Sequence, residues 1–414
     1  MEPTGIRATG LPNGLVLVVE PMSHVQSAAF ALLVPAGSIY EPAGCNGTAT
    51  VLAELLMRGA GERDTRELAR ALDNLGAQRS ESVGWSFLTL SAALLADHLP
   101  EVLRIYGDVA LRPHCSPADL EPARTGILQE LLAIEDDPQR KAIIELRRRC
   151  YDAPWGFPTE GSLAEVPNVT HDVLTDHYAR CFHPNGAILS VAGNVDPDAV
   201  EQLVEELFGE WKPGREPVVE RGQRGPQVDH IKDDSAQTQI ALAFPAVPYS
   251  DRDYYAAWAV AAVLGGGSSS RLFSEVRERR GLCYSVYATH NTLLTEGRIL
   301  IAAGTTAERA QETLDVIRTE LRGLSDGIGA DELDRCKARA KSALVMQQES
   351  TSARAGAIAR DWFHLGRVVP LSEIRAQIDA LTPERLASYL ERHPVRDLTI
   401  LTMGQAPLEV ADED

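Results

Sequence analysis

The sequence predicts two similar α+β domains joined end to end. Two observations carry this: a succession of strand-like and helix-like segments that occurs twice in the same order, and a polar, proline-broken stretch between the two occurrences. Each copy opens with an apolar strand, Ser27-Ala28-Ala29-Phe30-Ala31-Leu32-Leu33-Val34 in the first and Gln237-Thr238-Gln239-Ile240-Ala241-Leu242-Ala243-Phe244 in the second. Pro35-Ala36 and Pro245-Ala246 follow. An apolar helix comes next (residues 47–57 and 254–264), then a second helix (65–75 and 270–279).

Two strands follow in each copy, 78–83 with 86–92, and 283–290 with 297–303. The alternation through Phe87, Leu88, Thr89, Leu90 and Ser91 suits a strand with one buried face. An amphipathic helix (99–111 and 307–321) leads into a further helix with an acidic start, after Ser116-Pro117-Ala118-Asp119 and Gly329-Ala330-Asp331-Glu332. A helix and a strand close each copy, 174–180 with 187–191 and 383–391 with 398–402. Between the copies, Lys212-Pro213-Gly214-Arg215-Glu216-Pro217 opens a linker spanning 213–228, which sets the domains at 1–212 and 229–414.

Composition narrows the function classes. The 414 residues are 44% hydrophobic and 24% charged, as in an ordinary globular protein. No apolar run approaches the roughly 20 residues that span a bilayer, so a membrane role is not expected. The N-terminal residues lack the basic-then-apolar layout of a secretory signal, which makes the cytoplasm the expected compartment, although a processed chain would look the same. A net charge of -19 argues against nucleic acid as a partner and favours basic ligands. The six cysteines lie far apart without a C-x-x-C pair and read as buried thiols.

Several stretches are recognisable together. Leu11-Pro12-Asn13-Gly14-Leu15, Glu20-Pro21-Met22 and Ala36-Gly37-Ser38 lie near the start. His177-Tyr178-Ala179-Arg180, Pro184-Asn185 and Val191-Ala192-Gly193-Asn194-Val195-Asp196 close the first copy. Gly265-Gly266-Gly267 is followed by Ser269-Ser270-Arg271-Leu272-Phe273, and Glu275-Val276-Arg277-Glu278 leads to Arg280-Gly281-Leu282-Cys283-Tyr284-Ser285. Over nearly its whole length the chain resembles the pitrilysin/insulinase family of zinc peptidases. The resemblance implies mainly antiparallel sheets packed with helices, and a clam-shell chamber of four such domains, of which this chain would supply half.

In that family the first helix carries H-x-x-E-H. Its two histidines bind zinc, its glutamate polarises the attacking water, and a later glutamate is the third ligand. Gly47 and Arg58-Gly59 frame the motif here without a gap. The histidine positions fall on Thr50 and Glu54, the general-base position on Ala53, the third-ligand position on Glu130 and an accessory acidic position on Ala123. Threonine and alanine offer neither a strong ligand nor a base, so no metal is expected on this chain and no catalysis by it alone. Glu54 and Glu130 also read simply as solvated helix residues.

Inactive family subunits contribute an Arg/Tyr pair from their second domain to the substrate chamber. Arg277 and Tyr284 fall at those positions. A guanidinium fork and a phenol hydroxyl suit peptide carbonyls. The bland alternative is a helix arginine and a core-strand tyrosine. The Gly265–Gly267 run lacks the lysine of a P-loop and the spacing of a dinucleotide fingerprint. It reads as a hinge and candidate substrate contact, with Ser270 capping the next helix. His177, Cys181 and His183 form the one other grouping of metal-ligand types, at an ordinary helix-to-strand corner.

The resemblance therefore implies a non-catalytic subunit that pairs with a homologous H-x-x-E-H subunit, which holds the zinc, and binds unfolded peptide. Two alternatives stay open: a core-scaffold protein with no peptidase role, and a peptide-binding homodimer.

Overall fold

The computed structural model describes residues 5–215 and 217–410. The first half of the chain runs β1 (Arg7–Gly10), β2 (Val16–Pro21), β3 (Ser27–Val34), α1 (Thr48–Leu56), α2 (Thr65–Asn74), β4 (Gln78–Val83), β5 (Leu88–Leu95), α3 (Leu99–Leu111), α4 (Pro117–Glu135), α5 (Pro138–Cys150), α6 (His171–Cys181), β6 (Ile188–Gly193) and α7 (Pro197–Phe208). The second runs β7 (Val228–Lys232), β8 (Gln237–Ala246), α8 (Tyr254–Gly265), a π-helical segment (Phe273–Glu278), β9 (Cys283–Thr292), β10 (Gly297–Thr306), α9 (Ala310–Arg322), α10 (Ala330–Gln347), α11 (Thr351–Leu365), α12 (Leu371–Asp379), α13 (Pro383–Arg392) and β11 (Thr399–Gly404). The expected repeat is present as two α+β units.

The sheets repeat as well. The first has strand order β1-β2-β6-β3-β5-β4 and the second β7-β11-β8-β10-β9. In each, one parallel pairing, β2 with β6 or β7 with β11, interrupts otherwise antiparallel neighbours. Superimposing the two orders makes β2, β6, β3, β5 and β4 the counterparts of β7, β11, β8, β10 and β9. Strands β4 and β9 are then equivalent free edges.

The units are not the contiguous blocks expected from the linker. Unit 1 comprises Met1–Ala133, Phe157–Arg221 and Val345–Val369, and unit 2 comprises Ile134–Gly156, Gly222–Leu344 and Pro370–Asp414. Helix α5, encoded in the first half, belongs to unit 2, and α11, encoded in the second, belongs to unit 1. Nor is the expected linker, 213–228, free of structure. Gly222 and Gln223 exchange backbone hydrogen bonds with Ala153, Gly225 N–H donates to Arg148 O, and β7 begins at Val228.

The reason is burial. Strand β3 is apolar on both faces, and both are covered. On one, Phe30 meets Tyr106 of α3 edge-to-face at 4.9 Å. On the other lies α11, whose Ile358 and Ala359 pack with Val18 and Ile188, and whose Ala355 packs with Ala29 and Ala192. Alanine at 355 and 359 lets this helix lie close to the sheet. An ion pair fixes it: the Arg354 guanidinium, 2% exposed at its side chain, donates from Nη2 to Glu20 Oε2 at 2.7 Å and from Nε to both carboxylate oxygens. Unit 2 repeats the device, with Arg149 of α5 bonded from Nε to Asp229 Oδ2 of β7 at 2.8 Å. Tyr151 Oη, just beyond α5, donates to Asn291 Oδ1 at 2.7 Å.

Four of the cysteines are buried as expected, but Cys45 and Cys115 are only half-buried, and all six are free thiols. Among the described residues no helix is long and apolar enough to cross a membrane.

The Glu20–Arg354 pair leads to a stability prediction. Arg354→Met leaves Glu20 charged and alone in the core and should lower the unfolding free energy by about 3–5 kcal/mol, whereas Glu20→Leu with Arg354→Met should restore most of it. Urea denaturation of the three chains measures both values.

Candidate functional site

Helix α1 is preceded by Gly47, whose φ of +111° favours glycine, and a Cβ there would lie 2.5 Å from Val166 Cγ2. Gly47 has no side chain to cap the helix, so Glu41 caps it from the preceding loop. The Glu41 carboxylate accepts from Gly47 N, Ala49 N and Asn46 Nδ2 at 2.8–3.0 Å. Burial pushes this carboxyl up to about 7, against the lowering effect of those donors.

The helix so anchored carries the degenerate motif. Thr50 Oγ1 donates to Thr159 O at 3.0 Å. Ala53 is buried, and Glu54 Oε1 accepts from its helix neighbour Arg58 at 2.8 Å. Glu130 stands exposed on α4, and Ala123 is buried. This donor set does not fit zinc. Of the three ligand positions, Thr50 offers a hydroxyl already bonded to a backbone carbonyl and Glu54 a carboxylate paired with a guanidinium, which leaves Glu130 alone, and Ala53 at the general-base position has no side-chain donor. Among the described residues no group of three or more His, Cys, Asp or Glu side chains is arranged to hold a metal.

The His177, Cys181 and His183 grouping is structural. His177 Nε2 lies 3.2 Å from Ala36 O and its Nδ1 3.8 Å from Cys181 Sγ, while His183 Nε2 lies 3.0 Å from Arg180 O. Each imidazole thus ties a chain corner.

Arg277 and Tyr284 are brought together. Arg277 lies in the π-helical segment, a winding often found at functional sites. Its guanidinium sits 4.7 Å from the Phe273 ring centre and 5.0 Å from that of Tyr284, so a cation is held between two aromatic faces. Tyr284, expected in the bland reading as a core tyrosine, is 84% exposed at the start of edge strand β9. The nearby cations are neutralised: Arg279 and Arg280 both bond Glu275, and Arg271 grips Glu332 through two nitrogens. Among the described residues neither the Arg277 guanidinium nor the Tyr284 hydroxyl has a hydrogen-bond or ion-pair partner. Phe273, the platform under Arg277, escaped the sequence reading. Its four-residue offset from Arg277 was the available signal.

The glycines divide. Gly265 is buried against β9, where a Cβ would lie 2.1 Å from Ala288 N, so its smallness serves helix-on-strand packing. Gly266 and Gly267 are half-buried. Ser270 does not cap the next helix by its side chain: its Oγ is buried and has no hydrogen-bond partner among the described residues.

Fold and site together describe a duplicated α+β protein whose first helix carries threonine, alanine and glutamate at positions 50, 53 and 54. Comparison with known proteins gives its class, the pitrilysin/insulinase type. Residues 16–158 match the family described as insulinase (peptidase family M16), and residues 168–340 match the peptidase M16 inactive domain. A protein named as an uncharacterized zinc protease from Mycobacterium bovis is 31% identical over 94% of this chain and 90% of its own length. Another so named, from Bacillus subtilis, is 27% identical over 90% and 92%. Among solved structures, a peptidase M16 inactive domain from Pseudomonas fluorescens aligns with TM-score 0.87 at 22% identity, covering 99% of this chain and all of that one. A protease from Helicobacter pylori aligns with TM-score 0.87 at 21% identity over 96% and 99%. The chain belongs to the insulinase (M16) peptidase family.

Two measurements check this site. Installing Thr50→His, Ala53→Glu and Glu54→His together should produce stoichiometric zinc uptake in elemental analysis, with only traces in the unaltered chain. The second concerns His177, whose imidazole burial pulls down to about 4 from an unfolded value near 6.5. The unfolded chain therefore takes the proton first. This contribution to stability is whole above pH 6.5 and falls by roughly 3 kcal/mol as pH drops to 4. Unfolding midpoints across that window should slope less in a His177→Gln chain.

Proposed function

We propose that this chain is a non-catalytic subunit of an M16-type peptidase. It supplies Arg277 and Tyr284 to the substrate chamber of a homologous H-x-x-E-H subunit, which holds the zinc. The substrate is unfolded peptide, and the compartment is the cytoplasm, whose reducing chemistry suits six unpaired thiols.

The observation that carries the reading is the Arg277–Tyr284 stack. In a stretch where Arg271, Arg279 and Arg280 each engage a carboxylate, the aromatic-clamped Arg277 is left with its donors unspent. A guanidinium held by two rings keeps its orientation with its N–H groups outward, ready for peptide carbonyls. Tyr284 adds a hydroxyl on the edge strand β9, whose open row of backbone donors and acceptors suits an extended peptide. Gly266 and Gly267, half-buried just after α8, are a further candidate backbone contact on resemblance alone. The degenerate motif accounts for the need of a partner: Thr50, Ala53 and Glu54 on α1, with Glu130 on α4, are not a set that activates water through a metal.

Reconstitution tests the proposal. With an H-x-x-E-H subunit present, Arg277→Ala and Tyr284→Phe should each reduce kcat/KM on an unstructured peptide by about tenfold or more, with assembly unchanged by gel filtration. Tyr284→Phe keeps the ring beneath the guanidinium and removes only the hydroxyl. Full activity in both variants would refute the role and favour the scaffold alternative.

A further inference from the structure

The glycine-serine loop holds a feature that peptide contact does not explain. Ser270 is 5% exposed, yet its Oγ has no hydrogen-bond partner among the described residues. A buried hydroxyl without a partner is unfavourable unless something outside the chain supplies one. This side chain lines a small cavity of about 20 Å³, walled on one side by α10 through Glu332, Arg335 and Arg339.

The charges around the cavity are not balanced. Both oxygens of Glu332 are taken by Arg271, and Gly329 N–H adds a third donor. Arg335 and Arg339, one helical turn apart, have no hydrogen-bond or ion-pair partner among the described residues. The Arg339 guanidinium is laid against the loop so closely that a Cβ on Gly267 would fall 2.0 Å from its Nη1. In a chain of net charge -19, two adjacent arginines left without carboxylates at a cavity mouth are out of keeping with their surroundings.

We propose that the loop 265–270 and α10 form a binding site for a compact oxyanion, a phosphate or a carboxylate. The cavity has room for about one oxygen atom. One anion oxygen enters it and accepts from Ser270 Oγ. The remaining oxygens stay at the rim between Arg335 and Arg339, where charge-assisted hydrogen bonds are strong. Gly267 is glycine because a larger residue would push Arg339 off the rim.

Calorimetric titration of the full chain with inorganic phosphate, at ionic strength held constant with chloride, tests this without any partner subunit. Its outcome is therefore separate from that of the peptidase proposal. Saturable binding is expected, weakened about tenfold or more in Arg335→Gln/Arg339→Gln and clearly weakened in Ser270→Ala and Gly267→Ala. Arg396→Gln should bind as the parent does, and circular dichroism verifies that each variant is folded. An aspartate-rich peptide that displaces phosphate, where its asparagine counterpart does not, would identify a peptide carboxylate as the ligand. Failure of both to displace it would identify free phosphate. No saturable heat, or unchanged affinity in the double arginine variant, would overturn the proposal.

Discussion

The fold rests on a reciprocal exchange of helices. A sheet with two apolar faces must cover both, and each half of this chain covers only one face of its own sheet. The second cover comes from the other half, α11 over β3 and β6 and α5 over β8 and β11. In both units the imported helix is tied by an arginine to a carboxylate on one strand of the parallel pair, Arg354 to Glu20 of β2 and Arg149 to Asp229 of β7. Neither unit is complete as a contiguous stretch of sequence, so each half of the chain needs the other to bury its core.

This explains what was and was not legible in the sequence. Strands such as Ser27–Val34 and Leu88–Leu95 declared themselves through apolar runs and alternation, and α1 and α8 through apolar content, because these are local patterns. The exchange is not local. Helix α5 is crowded with charge, from Arg140 and Lys141 to Arg147, Arg148 and Arg149, and its main partners are distant in sequence. Helix α11 packs through alanines as much as through large apolar residues, which leaves little periodic signal. A proline-broken stretch near residue 213 suggested the change of copy, but a boundary in sequence is not a boundary in contacts.

The candidate sites show a similar division. The departure from H-x-x-E-H was plain from residue types alone, since threonine and glutamate stand at its histidine positions and alanine at its general-base position. The hydrogen bond of Thr50 and the ion pair of Glu54 add that the remaining donors have been put to structural use. The significance of Arg277 was carried by resemblance, whereas its clamp between Phe273 and Tyr284, and the neutralised arginines around it, required coordinates. Ser270 is the instructive miss. Serine ahead of a helix ordinarily caps it, but here the hydroxyl points into a cavity edged by two unpaired arginines.

The proposed role divides the labour: no catalysis by Thr50, Ala53 and Glu54 on α1, and a polar pair, Arg277 and Tyr284, offered to peptide. The most direct measurement is cleavage of an unstructured peptide by the purified chain alone in zinc-supplemented buffer. No turnover above the buffer rate is predicted. Cleavage that a chelator abolishes and zinc restores would contradict it, because the residues now on α1 would then be doing what their chemistry forbids.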